Sequence, residues 1–414
     1  MQEKKRILYS ALLAFLFLII SYWVTNRRFP VSGEKGLLTI VEKVCELCSR
    51  HEEQPADSVL FINVTYDKEP RPILDEMGIP SGRTPITDRH KLLKLLQHLQ
   101  QKNDYKYLLL DVFFGDDITT EWDSALFHTI QTMERIVIPC HRDQMLADEK
   151  LRSKAGLADY NIVTTESDFV KYPYITHRQK SLPLKMFEEV TGREISRHGI
   201  FYTDGWRLAR NSIILTFDIR ASEMYDDEGN KIWYNLGMDL LGDSIPELNL
   251  KGDRLITESP QLTSQKYIVI GSFLGDDMHT TFVGELSGAV INFNAFLSLM
   301  NGHHIVSFTL ALILFVVFFM LFYLILSRKS LHDVLLNKSA STKSKCLFRL
   351  LRGMAWLLKW QWINYSLLLS VLCIATYLLL GEAYDIFITS TLFYLFSGAV
   401  SLYDKHQKHS FHDA

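Results

Sequence analysis

The sequence predicts an α/β globular block, a doubly wound and largely parallel sheet, held among four transmembrane α-helices in a one-then-three arrangement. Three observations predict this. Four stretches carry no charged residue: Ile7 to Val24, Ile305 to Leu326, Ile363 to Gly381 and Ile386 to Leu402. Each approaches the roughly 20 residues that cross about 30 Å of hydrocarbon at 1.5 Å per residue. The block between the first and second stretches mixes charge, apolar runs and turn residues as a water-soluble domain does, and inside it short β-rich apolar runs alternate with helical periodicity.

The domain organisation follows. Residues 1–28 form the N-terminus and first span, 29–302 the globular domain and 303–327 the second span. Residues 328–360 form a basic loop, 361–381 and 386–402 the third and fourth spans, and 403–414 a tail. A cleavable signal peptide is the competing reading of the first span. Tyr22, Trp23, Asn26, Arg27 and Arg28 follow the apolar run without small residues at a cleavage spacing, which favours an uncleaved anchor.

Basic residues in short loops stay on the cytoplasmic face. Arg328, Lys329, Lys338, Lys343, Lys345, Arg349, Arg352 and Lys359 lie between the second and third spans, opposed only by Asp333, whereas the turn between the third and fourth holds only Glu382 and Asp385. Both termini are therefore expected in the cytoplasm of a bacterial inner membrane, with the globular domain on the extracytoplasmic, periplasmic side. Arg27 and Arg28 weigh mildly against this and are outnumbered. The chain carries −3 and the segments outside 29–302 carry +9, leaving −12 for the domain. Nucleic acid is excluded as a partner, because it needs a basic face; the lipid bilayer is the first expected partner.

Within the domain, Leu37, Leu38, Ile40, Val41, Val44 and Leu47 recur at helical spacing in Gly33 to His51. A strand is expected over Val59 to Tyr66, and a Pro- and Gly-rich loop over Lys68 to Pro85. Asp88 can cap a helix whose apolar face is Leu92, Leu93, Leu95, Leu96 and Leu99. Tyr107 to Phe114 reads as a strand covered on both faces, followed by a helix near Trp122 to Met133 and a strand Arg135 to Cys140. Later come a helix near Leu184 to Thr191, strands Ser212 to Ile219 and Lys266 to Gly271, and a helix near Gly288 to Met300. The β-α-β-α-β order gives the doubly wound core.

Several of these segments resemble, in order, the second CHASE family, the extracytoplasmic sensory domains of bacterial histidine kinases and nucleotide cyclases. Ile86 to Leu92 is similar to the family's arginine-bearing helix start, Tyr107 to Phe114 to its apolar strand with a central Asp, and Asp123 to Leu126 to the next helix start. Arg135 to Cys140 is similar to the strand after that. Lys266 to Gly302 resembles the closing segment, with Gly271, Asp276, Asp277, Gly288 and Asn294. The one-then-three spans fit as well. Two features depart: Thr281 is followed by Phe282 rather than proline, and only Tyr403 to Ala414 follow the last span, so kinase or cyclase activity is not carried over.

In open parallel sheets ligands sit at the carboxyl ends of the strands. Asp67, Asp111, Asp116, Asp117, His141, Asp276 and Asp277 fall there, and such acidity could hold a divalent cation or receive a basic ligand. Helix caps and turns are the other use of Asp in these loops. No metal site and no cofactor is assigned. A carboxylate inside an apolar strand needs a partner, so Asp111 is expected to pair with Arg83 or Arg89. Cys45-Glu-Leu-Cys48 lacks the second ligand pair of a zinc site and the adjacent His of a haem site. A redox dithiol stays open beside simple packing or one disulfide, with Cys45 or Cys48 joined to each other or to Cys140.

No nucleophile elbow, P-loop, zinc-protease or dinucleotide fingerprint occurs, so no enzyme activity is expected. His303 and His304 stand at the outer membrane edge, where protonation could be sensed, and Cys346 to Lys359 is a basic amphipathic stretch with Trp356 suited to an anionic leaflet or a partner protein. The spans hold no Asp, Glu, Lys or Arg, against a coupled transporter. The expectation is a receptor or scaffold that acts through a separate protein in trans, with a second copy as a further candidate partner and the small-molecule ligand unassigned; an accessory subunit of an envelope complex is the alternative.

Overall fold

The computed structural model describes residues 3–26, 39, 58–74, 77, 79–114, 119–142, 148–159, 168–169, 171–215, 217–220, 224, 231–243, 252–259, 261–281, 283–327, 361–380 and 386–410. The helix expected over Gly33 to His51, Cys45, Cys48, Asp116, Asp117 and the basic loop with its amphipathic stretch lie outside the described residues. The chain forms two compact units, one of residues 44–196 and 214–302, the other of residues 1–43, 197–213 and 303–414.

The larger unit is built on a parallel sheet. In chain order its strands are β1 (Val59–Asn63), β4 (Tyr107–Leu110), β5 (Ile136–Cys140), β6 (Ala155–Leu157), β7 (Tyr234–Asn235) and β8 (Tyr267–Gly271), arranged β7-β1-β8-β4-β5-β6. All five pairings are parallel. Successive side chains alternate between faces. One set (Leu60, Ile62, Leu108, Leu110, Ile136, Ile138, Ile268, Ile270) is buried beneath α1 (Arg89–Lys102) and α2 (Asp123–Thr132) through Leu92, Leu96, Leu99, Leu126 and Ile130. On the other face Phe61 and Tyr267 meet Phe293 of α5 (Gly288–Met300) at ring separations of 6.4 and 5.9 Å, and α4 (Leu182–Thr191) packs on β4 and β5. Double coverage is why these strands are apolar on both sides.

The caps follow from sequence. Asp88 accepts the Lys91 amide at 3.0 Å at the start of α1, Ser181 and Ser287 cap α4 and α5 from their hydroxyls, and a short helix α3 (Glu149–Lys154) is capped by Asp148 on its way into β6.

Two expectations need correction. The Pro-rich stretch from Lys68 to Pro85 is an antiparallel ribbon, β2 (Lys68–Leu74) with β3 (Pro80–Thr87). Pro70 stands opposite Pro85 and Pro72 shares its parity, so the missing amides fall at non-hydrogen-bonded positions, where they cost no ladder bond. The strand expected over Ser212 to Ile219 stops at Ile214.

In the smaller unit, helices Glu3–Thr25 and Phe308–Leu326 are long and apolar enough to cross a membrane. Helices Gln361–Leu380 and Ile386–Ser410 follow, with described apolar stretches, Tyr365–Tyr377 and Thr389–Leu402, shorter than a span. Phe17, Phe318, Phe322 and Phe393 form one aromatic cluster between three of these helices, with Phe17 and Phe322 edge to face at 4.6 Å. A hairpin, Phe201–Asp204 with Arg207–Ala209, completes the unit. His304 is fully buried, with Nε2 3.0 Å from Asp204 Oδ2, so it stands away from the solvent that interfacial sensing would need.

Candidate functional site

The strand order creates the site. The chain passes from β1 to β4 and leaves a gap of one strand, which β8 fills last; β5 and β6 extend one way while β7 lies on the far side of β1. Connections therefore diverge around β1, β8 and β4, the place where an open α/β sheet forms a crevice at its carboxyl edge. A cavity of about 220 Å³ lies there, lined among others by Lys68, Asp111, His141, Ser272, Asp277 and Asn292.

Asp111 is the first residue past β4, and its amide still donates to Ile270 O of β8 at 2.7 Å. The carboxylate is partly buried and accepts from Asn292 Nδ2 at 3.0 Å. Asn292 is itself buried in α5 and accepts the Tyr172 hydroxyl at 2.7 Å, which fixes its amide with the donor towards Asp111. Burial first, and the negative Asp277 second, push the Asp111 carboxyl up to about 7, against the Asn292 hydrogen bond and the attraction of His141 and His279. Near neutral pH this group exists as both acid and carboxylate.

The surrounding groups come from separate elements. His141, just past β5, places Nδ1 2.7 Å from Asp159 Oδ1 and packs edge to face on Phe113 at 4.7 Å. Asp277 closes a 3₁₀ turn, Gly275–Asp277, with His279 Nε2 3.5 Å away. Lys68 begins β2 and donates to Thr87 Oγ1 at 3.2 Å; burial, then the nearby Arg89 charge, lower its pKa. The floor is tied by Asn63 at the end of β1, whose Oδ1 accepts from the Thr65 hydroxyl at 2.6 Å and the Phe273 amide at 3.2 Å. Thr65 and Ser272 hydroxyls meet at 2.8 Å. The cavity thus presents two carboxylates, an ammonium, an imidazole and hydroxyls, a set that can hold a small molecule bearing both a cationic and an acceptor group.

The expected ion pair of Asp111 with Arg83 or Arg89 does not form. Arg83 is exposed on β3. Arg89 is buried, stacks over the Phe114 ring at 4.3 Å and places Nε 3.8 Å from Asp123 Oδ1. The strand ends at Leu110, one residue before Asp111, so the carboxylate faces a cleft rather than the packed sheet and needs no arginine. Asp67 also lies elsewhere: it accepts from Lys91 Nζ at 2.7 Å and the Gly237 amide at 3.1 Å, a structural role. Asp276 lies in the 3₁₀ turn beside Asp277. Among the described residues Cys140 is a free thiol, and its candidate partners Cys45 and Cys48 lie outside them. Asn294, part of the family resemblance, holds the Ile219 amide and carbonyl at 2.9 Å each and is structural.

Asn292, Lys68, His279 and Ser272 were not among the expected site residues. Only Asn292 left a signal, a polar residue inside the apolar run Ala289 to Phe296. Among the described residues, no three His, Cys, Asp or Glu side chains converge as metal ligands. Comparison of the chain with protein-family models, with curated proteins and with solved structures finds no match in any of the three.

Proposed function

We propose that this chain is a membrane-anchored, non-enzymatic receptor whose α/β unit takes a small polar ligand in the cleft at the carboxyl edge of its sheet and passes the bound state to a separate protein. The observation that carries the reading is Asp111, a carboxylate at the topological switch point with its pKa near 7, in a cavity that also presents Asp277 and Lys68. A fold maintains a costly ionisable group at such a place for binding more readily than for stability. A molecule carrying an ammonium and an acid group, such as an amino acid, satisfies the carboxylates and Lys68 together. The resemblance of its order of segments to the second CHASE family supports a sensory role. The bias of basic residues towards the 328–360 loop supports four spans, cytoplasmic termini and an extracytoplasmic α/β unit.

Two measurements test the proposal. Amino acids and small amines, added singly to the full chain in lipid nanodiscs, should include at least one that raises the unfolding temperature of the wild type and not of Asp111→Asn. A panel without effect, or with equal effect on both proteins, overturns the cleft as the site. In intact cells, a cysteine placed at Met77 should react with an impermeant maleimide, while one at Lys343 should react only after permeabilisation; the reverse pattern overturns the orientation.

A further inference from the structure

We propose that the Phe201–Ala209 hairpin is a membrane-interface anchor that seats its Trp206 tip among the phospholipid headgroups of the leaflet at the Thr25 and Phe308 ends of the two spanning helices. The inference rests on the reading of Glu3–Thr25 and Phe308–Leu326 as membrane spans, and every group it uses lies in the same compact unit.

The hairpin is fastened to the facing ends of both helices. Tyr22, in the last turn of the first helix, donates its hydroxyl to Ala209 O at 2.7 Å and accepts the Tyr202 amide at 2.9 Å. One turn on, Asn26 Oδ1 accepts the Asn211 amide at 2.5 Å. From the second helix, the Val306 amide donates to Leu208 O at 2.9 Å and His304 O accepts the Arg210 amide at 2.7 Å, two and four residues before that helix begins. These bonds hold the hairpin at the level where the helices leave the hydrocarbon. Its tip lies three residues beyond Ala209, about 10 Å at the rise of a strand, comparable with the depth of a headgroup layer.

The exposed residues are those such a layer selects. A two-residue loop, with Gly205 at φ +59°, turns the strands and leaves Trp206 88 % exposed, with the Arg207 guanidinium 5.5 Å from its ring centre. Register sorts the rest: Tyr202, opposite Ala209, faces inward and is buried, while Phe201 and Leu208 remain exposed with Ile200. The lipid-level ends of the helices add Trp23 and Phe308, the latter 81 % exposed. Six aromatic or aliphatic side chains on one short hairpin and its supports, presented to water, would be an aggregation surface; at a bilayer edge they form the aromatic belt that anchors membrane proteins. Charge agrees. Arg197 and Arg207 are exposed, and the one acid of the hairpin, Asp204, is occupied by buried His304, so this surface is cationic and complements lipid phosphate.

The test uses the full chain with its cysteines replaced by serine and a single nitroxide-bearing cysteine at 206, 316 or 94, in nanodiscs of phosphatidylethanolamine and phosphatidylglycerol. Val316 is exposed on the second helix and Lys94 is exposed on α1. Collision rates with oxygen relative to a nickel chelate should be highest at 316, lowest at 94 and several-fold above the 94 value at 206. An aqueous signal at 206 beside a hydrocarbon signal at 316 overturns the anchor and leaves the spans intact. An aqueous signal at 316 overturns the span reading and the anchor with it.

Discussion

Replacing Asp111 by Asn should stabilise the protein, and should do so more as pH rises. The carboxyl has a folded pKa of about 7 against 3.8 when unexposed to these surroundings. A raised acid pKa means that the native state binds a proton that the unfolded state has released, so wild-type stability falls as pH rises from about 4 to about 7 and is flat beyond. At 1.36 kcal/mol for each pKa unit, moving from pH 5 to pH 8 crosses two units of that window and costs the wild type about 3 kcal/mol. Asparagine has the same shape, keeps an oxygen to accept from Asn292, and carries no charge to desolvate, so its stability shows no such slope. For a unit of this size the difference corresponds to about 5–10 °C in unfolding temperature. The assay is urea unfolding of the full chain in detergent at pH 5, 6.5 and 8, followed through Trp122 and Trp233. Equal destabilisation of Asp111→Asn at pH 5 and pH 8 would refute the reasoning, because it would mean that a cation compensates the carboxylate in the fold.

Three further outcomes follow from the geometry. Asp67→Ala strands the Gly237 amide and takes one of two carboxylates from Lys91, and should lower stability by about 1–3 kcal/mol in the same urea assay. Gly271→Val should cost about 1–3 kcal/mol and distort the cleft, since a Cβ there would meet Ala289 Cβ at 2.6 Å and Asp111 Cβ at 3.5 Å; an unchanged unfolding midpoint would show that α5 can move off the sheet. Mild-detergent purification after crosslinking should recover a second protein with the chain. Recovery of the bare chain alone, together with turnover of a nucleotide or movement of a solute in bilayers, would replace the receptor reading with an enzyme or transporter.

The sequence disclosed elements better than their ends or their order. Val59, Tyr107, Ile136 and Tyr267 all begin sheet strands inside the expected runs, because a doubly covered strand must be apolar over its whole length. The run from Tyr107 to Phe114 continues past the true end at Leu110, since Val112 and Phe114 are buried beyond the sheet, and hydrophobicity cannot distinguish the two kinds of burial. That overrun turned Asp111 into an apparent core carboxylate and called for an arginine it does not have. The β2–β3 ribbon was hidden for the opposite reason, as its prolines mimic a loop until register shows them sharing one side. In the cleft, the rule of carboxyl ends brought out Asp111, His141 and Asp277, which are adjacent to strand ends. It could not bring out Lys68 or Asn292, whose relevance comes only from segments more than 200 residues apart meeting around β8.

The position of β8 also governs how the unit can be made. Strand Tyr267–Gly271 is the last of the sheet to be synthesised and the one that sits between β1 and β4, paired along its length with both. Until it arrives, the nascent chain has two separate half-sheets, each showing an unpaired apolar edge, and the contacts that join them span more than 150 residues. Folding is consequently a late, non-local closure rather than a progressive one. A chain cut before residue 267 would expose both edges and be prone to self-association. The helix that follows at once, α5, delivers Asn292 to Asp111 in the same event, so closing the sheet and completing the cleft are one step.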